Sequence, residues 1–138
     1  MRLSEQEARG RFAAARVARL ATVDETGSPH LVPVTFAVLG DRVVFAIDAK
    51  PKSTTNLRRL RNIARNPAVA VLADHYDEDW SLLWWVRADG TATVFTGSGR
   101  DEPIAALIAK YAQYAGQPPR GPVVSIAVTT WRGWAARA

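Results

Sequence analysis

Few side chains in this sequence could carry out chemistry without a bound group. The 138 residues contain no cysteine and two histidines, His30 and His75, which excludes thiol catalysis and thiolate metal sites. The histidines do not have the spacing of a zinc site, and no serine lies in a nucleophile-elbow sequence. The acidic loop around His75 lacks the pattern of a calcium loop, so we expect no metal. A cofactor is therefore expected to supply any reactivity.

The segment 41–67 carries the pattern of an anion-binding site. Its sequence, DRVVFAIDAKPKSTTNLRRLRNIARNP, predicts a strand, a loop with two lysines, and a helix that ends at Asn66-Pro67. Ser53, Thr54 and Thr55 are natural N-cap residues, and the free N–H groups of a first helical turn favour an anion. Lys50 and Lys52 add positive charge beside that cap.

The predicted helix has two different faces. At about 100° per residue, one face is predicted to pack against the sheet and comprises Leu57, Leu60, Ile63 and Ala64. The other face carries the residues that we call the arginine strip, which are Arg58, Arg61 and Arg65. An isolated basic helix face is usually just solvated. Loop lysines, a hydroxyl cap and an arginine strip at one strand-to-helix junction together favour a bound phosphate.

Composition bounds the remaining possibilities. A chain of 138 residues with 48% hydrophobic and 22% charged residues is typical of one globular domain. The net charge of +5 is concentrated near the predicted helix, and aromatic residues are not interleaved with it, which argues against a nucleic-acid binder. We expect no membrane span and a cytoplasmic location. The tryptophans at 84–85 and 131–134 indicate a subunit interface or a ring-binding surface.

The pattern of the whole chain predicts a mainly β, α+β fold. Ser4 and Glu7 form a capping box for a first helix that ends near Ala15, and Asp101 is predicted to cap a helix that continues to Gly116. Six strands are predicted, at about 17–23, 29–39, 42–48, 68–73, 82–95 and 123–130. Asp89-Gly90 indicates a bulge within the fifth strand. These elements favour a six-stranded antiparallel barrel with helices at its ends.

Several motifs resemble one known family. GSPHLVPV at 27–34, VFAI at 44–47 and KPKSTTNLRR at 50–59, followed by Asn66-Pro67, resemble the split β-barrel flavin-binding family of pyridoxamine 5′-phosphate oxidase-like proteins. The similarity is greatest to the actinobacterial branch that uses the deazaflavin coenzyme F420. The segment 79–87 and the terminal WRGW are similar to one subgroup of it. The resemblance covers nearly the whole chain.

The resemblance implies a homodimer with a cofactor in the groove between two subunits. Residues expected beside the cofactor ring are Val32, Pro33, Val34, Phe45, Ala46 and Ile47, and His30 is a further candidate cofactor-binding residue. Residues expected near the phosphate are Lys50, Lys52, Ser53, Thr54, Asn56, Arg58, Arg59 and Asn62. Many relatives place the phosphate-binding lysine three residues before an Asn and eight before a Pro. That spacing falls on Arg59, so Lys52 and Arg59 are alternative candidates for the same role.

Three functions are compatible with these motifs. The first is an oxidoreductase in which reduced F420 transfers hydride to a planar, conjugated small molecule, with a proton from solvent, His30 or Tyr76. The second is an FMN-dependent enzyme of the same fold. FMN carries one phosphate monoester, whereas F420 has a phosphodiester and a polyglutamate tail that suits the arginine strip better. The third is an F420- or flavin-binding protein without turnover. No catalytic side chain is assigned.

Overall fold

The computed structural model describes residues 1–47 and 54–137. The expected phosphate-binding residues Lys50, Lys52 and Ser53 lie outside the described residues. The helices are α1 (Glu5–Ala14), α2 (Thr54–Arg65), α3 (Asp101–Lys110) and α4 (Ala112–Gly116), with a short 3-10 helix at Trp80–Leu82. The strands are β1 (Ala18–Val23), β2 (Pro29–Val34), β3 (Ala37–Leu39), β4 (Arg42–Ala46), β5 (Ala68–His75), β6 (Trp84–Phe95) and β7 (Val123–Ala135).

The described strands form one antiparallel sheet of seven strands, in the order β2-β1-β5-β6-β7-β4-β3. The prediction of six strands was wrong because the expected strand 29–39 divides at Thr35 and Phe36. β2 pairs with β1, whereas β3 pairs with β4 at the opposite edge. Since the two edges are joined by two residues, their ends at Val34 and Ala37 lie within about 11 Å of each other. The sheet therefore curls, but hydrogen bonds do not close it in the part of the chain that the structure describes.

The curled sheet encloses an apolar core that α1 covers at one side. Phe12 of α1 is fully buried, and its ring lies 4.7 Å from that of Phe36 and 5.3 Å from that of Trp131. The capping box of Ser4 and Glu7 is confirmed. Trp131 was expected at an interface or ring-binding surface, but it is 8% exposed and belongs to this core. β7 also continues five residues beyond the predicted end at Thr130.

The helix predicted from Asp101 to Gly116 is two helices, because the backbone at Tyr111 is extended. The Tyr111 hydroxyl accepts a hydrogen bond from the Phe36 N–H at 3.1 Å and donates one to the Arg16 carbonyl at 2.9 Å. Asp101 is the first helical residue and not the cap, which falls on Arg100. Tyr111 thus anchors the turn between α3 and α4 to the sheet.

α3 covers the outer side of the β3–β4 pair. Leu107 is fully buried against Val44, which is why β4 is apolar on both of its faces. Between the central strands β6 and β7, the register shifts at Asp89 and Gly90, which confirms the predicted bulge. A Cβ on Gly90 would lie 2.3 Å from the Ala127 carbonyl oxygen, so the close approach of the two strands requires glycine there.

Candidate cofactor site

Thr22, His30 and Asn62 meet where α2 packs on the β1–β2 pair. His30 of β2 is directly opposite Thr22 of β1 in the sheet. The Asn62 side chain is 4% exposed, and its Nδ2 donates a hydrogen bond to Thr22 Oγ1 over 3.1 Å. Because this bond is buried, it fixes the position of α2 over the two strands. Asn62 and His30, both predicted site residues, are thereby brought to one place.

The buried face of α2 contains a charged residue. Residues 59, 62 and 63 lie on one side of the helix, since they are three and four positions apart. Asn62 and Ile63 are buried, and Arg59 lies between them, partly buried. The prediction that Ala64 packs against the sheet was wrong, because the centre of the packing face falls near Arg59 and leaves Ala64 exposed. Leu60 packs at the margin of the core, and the side chain of Leu57 lies outside the described residues.

Two nitrogen atoms in this region are buried without a hydrogen-bond partner among the described residues. They are Arg59 Nε and His30 Nδ1. Burial lowers the pKa of the Arg59 guanidinium from its usual value. Burial also lowers the pKa of His30, and the positive charges of Arg58 and Arg59 lower it further. Buried polar atoms normally have partners, so this pair of atoms suits an incoming group with oxygen acceptors and negative charge.

The arginine strip is divided between two surroundings. Arg65 Nη1 donates to Glu25 Oε2 over 2.5 Å, which joins the end of α2 to the β1–β2 turn. Arg58 and Arg61 are exposed. The charge of Arg58 contributes, after hydrogen bonds from the neighbouring turn, to lowering the pKa of Asp24. Two of the three guanidinium groups therefore face solvent, and the third is held by the protein itself.

The residues expected beside a ring lie on two separate strands. On β2, Val34 is buried and Val32 half-buried, whereas Pro33 is exposed on the opposite side. Phe45 and Ile47 are 1% and 3% exposed and fill the core. Ala46 is half-buried and faces α3 and α4 instead. Among the predicted site residues on these two strands, those with exposed side-chain surface are His30, Val32, Pro33 and Ala46. The helix α2 begins at Thr54; the side chains of Thr54 and Asn56 lie outside the described residues.

The outer face of the sheet has a shallow groove that the sequence did not reveal. The groove has a volume of about 770 Å³ and lies across β2, β1, β5 and β6. Its apolar side chains include Leu31 at 68% exposure and Leu72 and Trp85 at 37% each. Trp134, opposite Trp85 on β7, adds to the same face. Contiguous exposed apolar surface of this kind is typical of an interaction site.

Charged groups flank the groove in pairs. Arg87 is bound to Asp89 through its Nε at 2.8 Å and its Nη2 at 3.1 Å. Arg19 lies 3.8 Å from the Asp74 carboxylate. The described residues contain no cluster of acidic residues and histidines suited to a metal. Among the same residues, no helix is both long and apolar enough to cross a membrane.

The fold and this site define an α+β protein with an antiparallel sheet and a polar cluster suited to an anionic ligand. Residues 4–135 match the family described as "Pyridoxamine 5'-phosphate oxidase". The chain therefore belongs to this family, and the resemblance seen in its motifs is confirmed.

One curated relative is the "5a,11a-dehydrotetracycline/5a,11a-dehydrooxytetracycline reductase" of Streptomyces rimosus, which is 34% identical over 84 residues. The matched region is 60% of this chain and 58% of the relative, so it spans little more than half of that protein.

Solved structures share the fold. A conserved hypothetical protein of Mycobacterium tuberculosis has a TM-score of 0.78 at 21% identity, over 98% of this chain and 86% of that one. An FAD-binding protein of Mesorhizobium loti has a TM-score of 0.74 at 20% identity, over 96% and 95%.

Proposed function

We propose that this protein is a homodimeric, F420-dependent oxidoreductase that reduces a planar, conjugated small molecule. The observation that carries the proposal is the position of Arg59, a cation at the centre of the packing face of α2 with a buried Nε that lacks a partner among the described residues. A protein seldom buries such a group for stability alone, because desolvation of a charge is costly. A bound phosphate would offset that cost.

Arg59 and the start of α2 would hold the phosphate. A guanidinium donates hydrogen bonds to phosphate in a fixed planar geometry, and the first-turn N–H groups of a helix favour an anion. His30, held neutral by the lowered pKa, can donate from one ring nitrogen and accept at the other. Lys52 remains an alternative phosphate ligand.

The cofactor's chemistry suits a site with few reactive side chains. When bound, reduced F420 supplies a hydride, and the acceptor takes its second hydrogen as a proton from solvent, His30 or Tyr76, which completes a two-electron reduction. The protein's own contribution is to bind, to orient the two molecules and to exclude water. The curated relative named as a reductase supports reduction of a conjugated substrate.

Dimer formation would cover the groove on the outer face of the sheet. Leu31, Leu72 and Trp85 expose apolar surface on β2, β5 and β6 of the same sheet, and a second copy of the same face would bury it symmetrically. A ring bound at Val32 and Pro33 at the sheet edge would then be shielded by the second subunit. We also propose that the chain is a single cofactor-binding domain and acts in the cytoplasm.

The runner-up is FMN as the cofactor. The solved Mesorhizobium loti structure named as an FAD-binding protein favours a flavin, whereas exposed Arg58 and Arg61 favour the longer anionic tail of F420. A non-catalytic binding protein would use the same contacts.

The test is to titrate the purified protein with F420 and, in parallel, with FMN, and to measure binding from the fluorescence. We expect F420 to bind more tightly, and Arg59→Ala to weaken both by roughly tenfold or more, as for a charge-assisted hydrogen bond. Turnover is tested by mixing reduced F420 with a panel of quinones and conjugated ketones. Binding without oxidation of the cofactor would assign a carrier role instead.

A further inference from the structure

We propose that a second cavity, between α4, the Gln117–Arg120 linker and the end of β4, binds the acidic oxygen-bearing end of the hydride acceptor. The ligand class is a planar enol or enolised 1,3-dicarbonyl, bound as its enolate. This inference rests on the proposed function and names the acceptor class for it.

The cavity adjoins a strand that is expected beside the cofactor. It has a volume of about 450 Å³, within the range of roughly 300–1,000 Å³ that is usual for small-molecule sites. Ala46, at the carboxyl end of β4, forms its wall on the sheet side. The other walls include Gln113, Tyr114, Gln117, Pro119 and Arg120. A molecule in this cavity would therefore lie next to one of the proposed ring-flanking residues.

Hydrogen bonds hold the linker wall in place before any ligand arrives. Arg100 donates from Nε to the Gly121 carbonyl over 3.1 Å and from Nη2 to the Pro119 carbonyl over 2.9 Å. Both bonds are partly buried. Pro118 and Pro119 have restricted φ angles. A wall with this much restraint loses little conformational entropy when a ligand binds.

A second set of contacts fixes the wall formed by α4. The Tyr114 hydroxyl shares a hydrogen bond of 2.8 Å with Thr35 Oγ1, from the corner between β2 and β3. Its ring lies at 5.7 Å from that of Tyr111 in an edge-to-face arrangement. The cavity is thus bounded by two restrained walls.

The chemistry of the lining favours an anionic, oxygen-rich ligand. Gln113, Gln117, Tyr114 and Arg120 are among the lining residues, and the lining residues that the structure describes include no carboxylate. A guanidinium binds two adjacent oxygen atoms with parallel hydrogen bonds, which matches an enolate oxygen and a neighbouring carbonyl oxygen of one ligand. The proline and alanine surfaces suit a flat carbon skeleton. A cationic ligand would meet Arg120 with no compensating carboxylate among the described lining residues.

The test is direct binding to the protein without cofactor, measured by calorimetry. The probe is 2-hydroxy-1,4-naphthoquinone, which is an enolate at neutral pH, and 1,4-naphthoquinone is the matched ligand that lacks the acidic hydroxyl. We expect the enolate to bind more tightly, and Arg120→Gln to weaken its binding about threefold to fivefold, as for a partly exposed charge pair. Gln117→Ala should weaken it less.

The matched control is Arg137→Gln, which removes one exposed positive charge beyond the opposite end of β7. This control should leave binding of the probe unchanged. Equal affinity of the parent and Arg120→Gln for the enolate would overturn the proposal. So would equal affinity of the parent for the two naphthoquinones.

A titration of the same variants with F420 separates this inference from the proposed function. Arg120→Gln should leave F420 affinity unchanged. If it weakens F420 and not the naphthoquinone, the cavity holds the carboxylate tail of the cofactor, and the acceptor assignment is wrong. Failure of the parent to bind F420 would reject the proposed function, whereas the naphthoquinone result would still decide whether the cavity takes an enolate.

Discussion

Helices α3 and α2 each pack a partly buried cation against the sheet, and the two cations differ in their hydrogen-bond partners. On α3, Lys110 Nζ donates to the Ala15 carbonyl over 2.7 Å and lies 3.8 Å from the centre of the Phe36 ring. On α2, the Nε of Arg59 is buried without such a partner among the described residues. Burial lowers the pKa of both, that of Lys110 to about 8. Lys110 Nζ is therefore paired within the chain, whereas Arg59 Nε has no partner among the described residues and is proposed to meet the cofactor phosphate.

The residues packed beside Lys110 are mainly apolar, whereas those beside Arg59 are mainly polar. Leu107 and Tyr111 are buried beside Lys110 and form an apolar contact with β3 and β4. Asn62 and Thr22 are buried beside Arg59 and form a polar contact. The α3 face is therefore built for stability, and the α2 face gives up some apolar burial for a polar site. Mutations on the two faces should separate stability from binding.

The largest effect is expected on the α3 face. Leu107→Ala should lower the free energy of unfolding by about 2–5 kcal/mol, because it removes a fully buried leucine and leaves a cavity. Affinity for F420, measured on the folded protein at low temperature, should change little. Urea denaturation followed by circular dichroism measures the loss. A loss below about 1 kcal/mol would show that α3 is not the stabilising face.

Arg59→Met should produce the opposite pattern. It should leave the free energy of unfolding unchanged or higher, because it removes a desolvated charge and keeps an apolar chain of similar length. Affinity for F420 and FMN should fall by roughly 1.5–3 kcal/mol, the usual size of a hydrogen bond to a charged group. Thermal melts and fluorescence titrations measure the two quantities.

Lys110→Met is the matched control for Arg59→Met. It should change the affinities for F420 and FMN by no more than about twofold. A substitution away from a binding site is expected to change the binding free energy by about 0.4 kcal/mol or less. Comparable losses of cofactor affinity in both variants would remove the distinction between the two cations.

A smaller effect is expected from the arginine strip. Changing Arg58 and Arg61 together to Ala should weaken F420 binding by roughly 0.4–2 kcal/mol, or 0.2–1 kcal/mol for each exposed contact. The loss should shrink as salt is raised from low concentration to above about 0.1 M. FMN, which has no polyglutamate tail, should bind almost as before. Fluorescence titrations at two salt concentrations measure the change.

Arg65→Ala is the comparison within the strip. Its guanidinium is already paired with Glu25 at 2.5 Å, so its removal should add little to the loss at Arg58 and Arg61. If the double variant binds F420 as tightly as the parent at low salt, the exposed strip is only a solvated face.

Local sequence signals predicted much of this fold. The capping box at Ser4 and the bulge at Asp89-Gly90 depend on neighbouring residues and on close contact of two strands, and both were readable from residue type. The division of the strand at Thr35 and Phe36 was not readable, because the apolar alternation continues through both residues. β2 and β3 are distinct strands only because β2 pairs with β1 at one edge of the sheet and β3 pairs with β4 at the other.

The candidate site was predicted in part for the same reason. The spacing of Arg59 before Asn62 and Pro67 pointed to the helix that carries the candidate site, but periodicity assigned the packing face of that helix to its leucines, Ile63 and Ala64. The sequence did not assign Arg59 to either helix face, and only tertiary packing reveals that it lies near the centre of the packing face. The outer groove was missed because it joins β1 with β5, strands far apart in sequence. The pairing of strands that are distant in sequence cannot be predicted from the residues of either strand alone.

The smallest effect is expected from His30, whose pKa is lowered by burial and by the charges of Arg58 and Arg59. Because the folded protein resists protonating His30, the unfolded chain binds more protons as the pH falls through the ordinary value of 6.5. The contribution of His30 to the free energy of unfolding is therefore fully present above pH 6.5. It is lost as the pH falls from 6.5 to the lowered pKa of His30 in the folded protein. His30→Asn should flatten this decline, and His75→Asn, at an exposed position, is the control.

A bound phosphate should raise the pKa of His30 again, because its negative charge offsets the positive charges of Arg58 and Arg59. Nuclear magnetic resonance titration of the His30 ring, with and without cofactor, measures this directly. A His30 pKa at or above 6.5 in the free protein, unchanged by cofactor, would place the phosphate elsewhere and leave Arg59 without the role proposed for it.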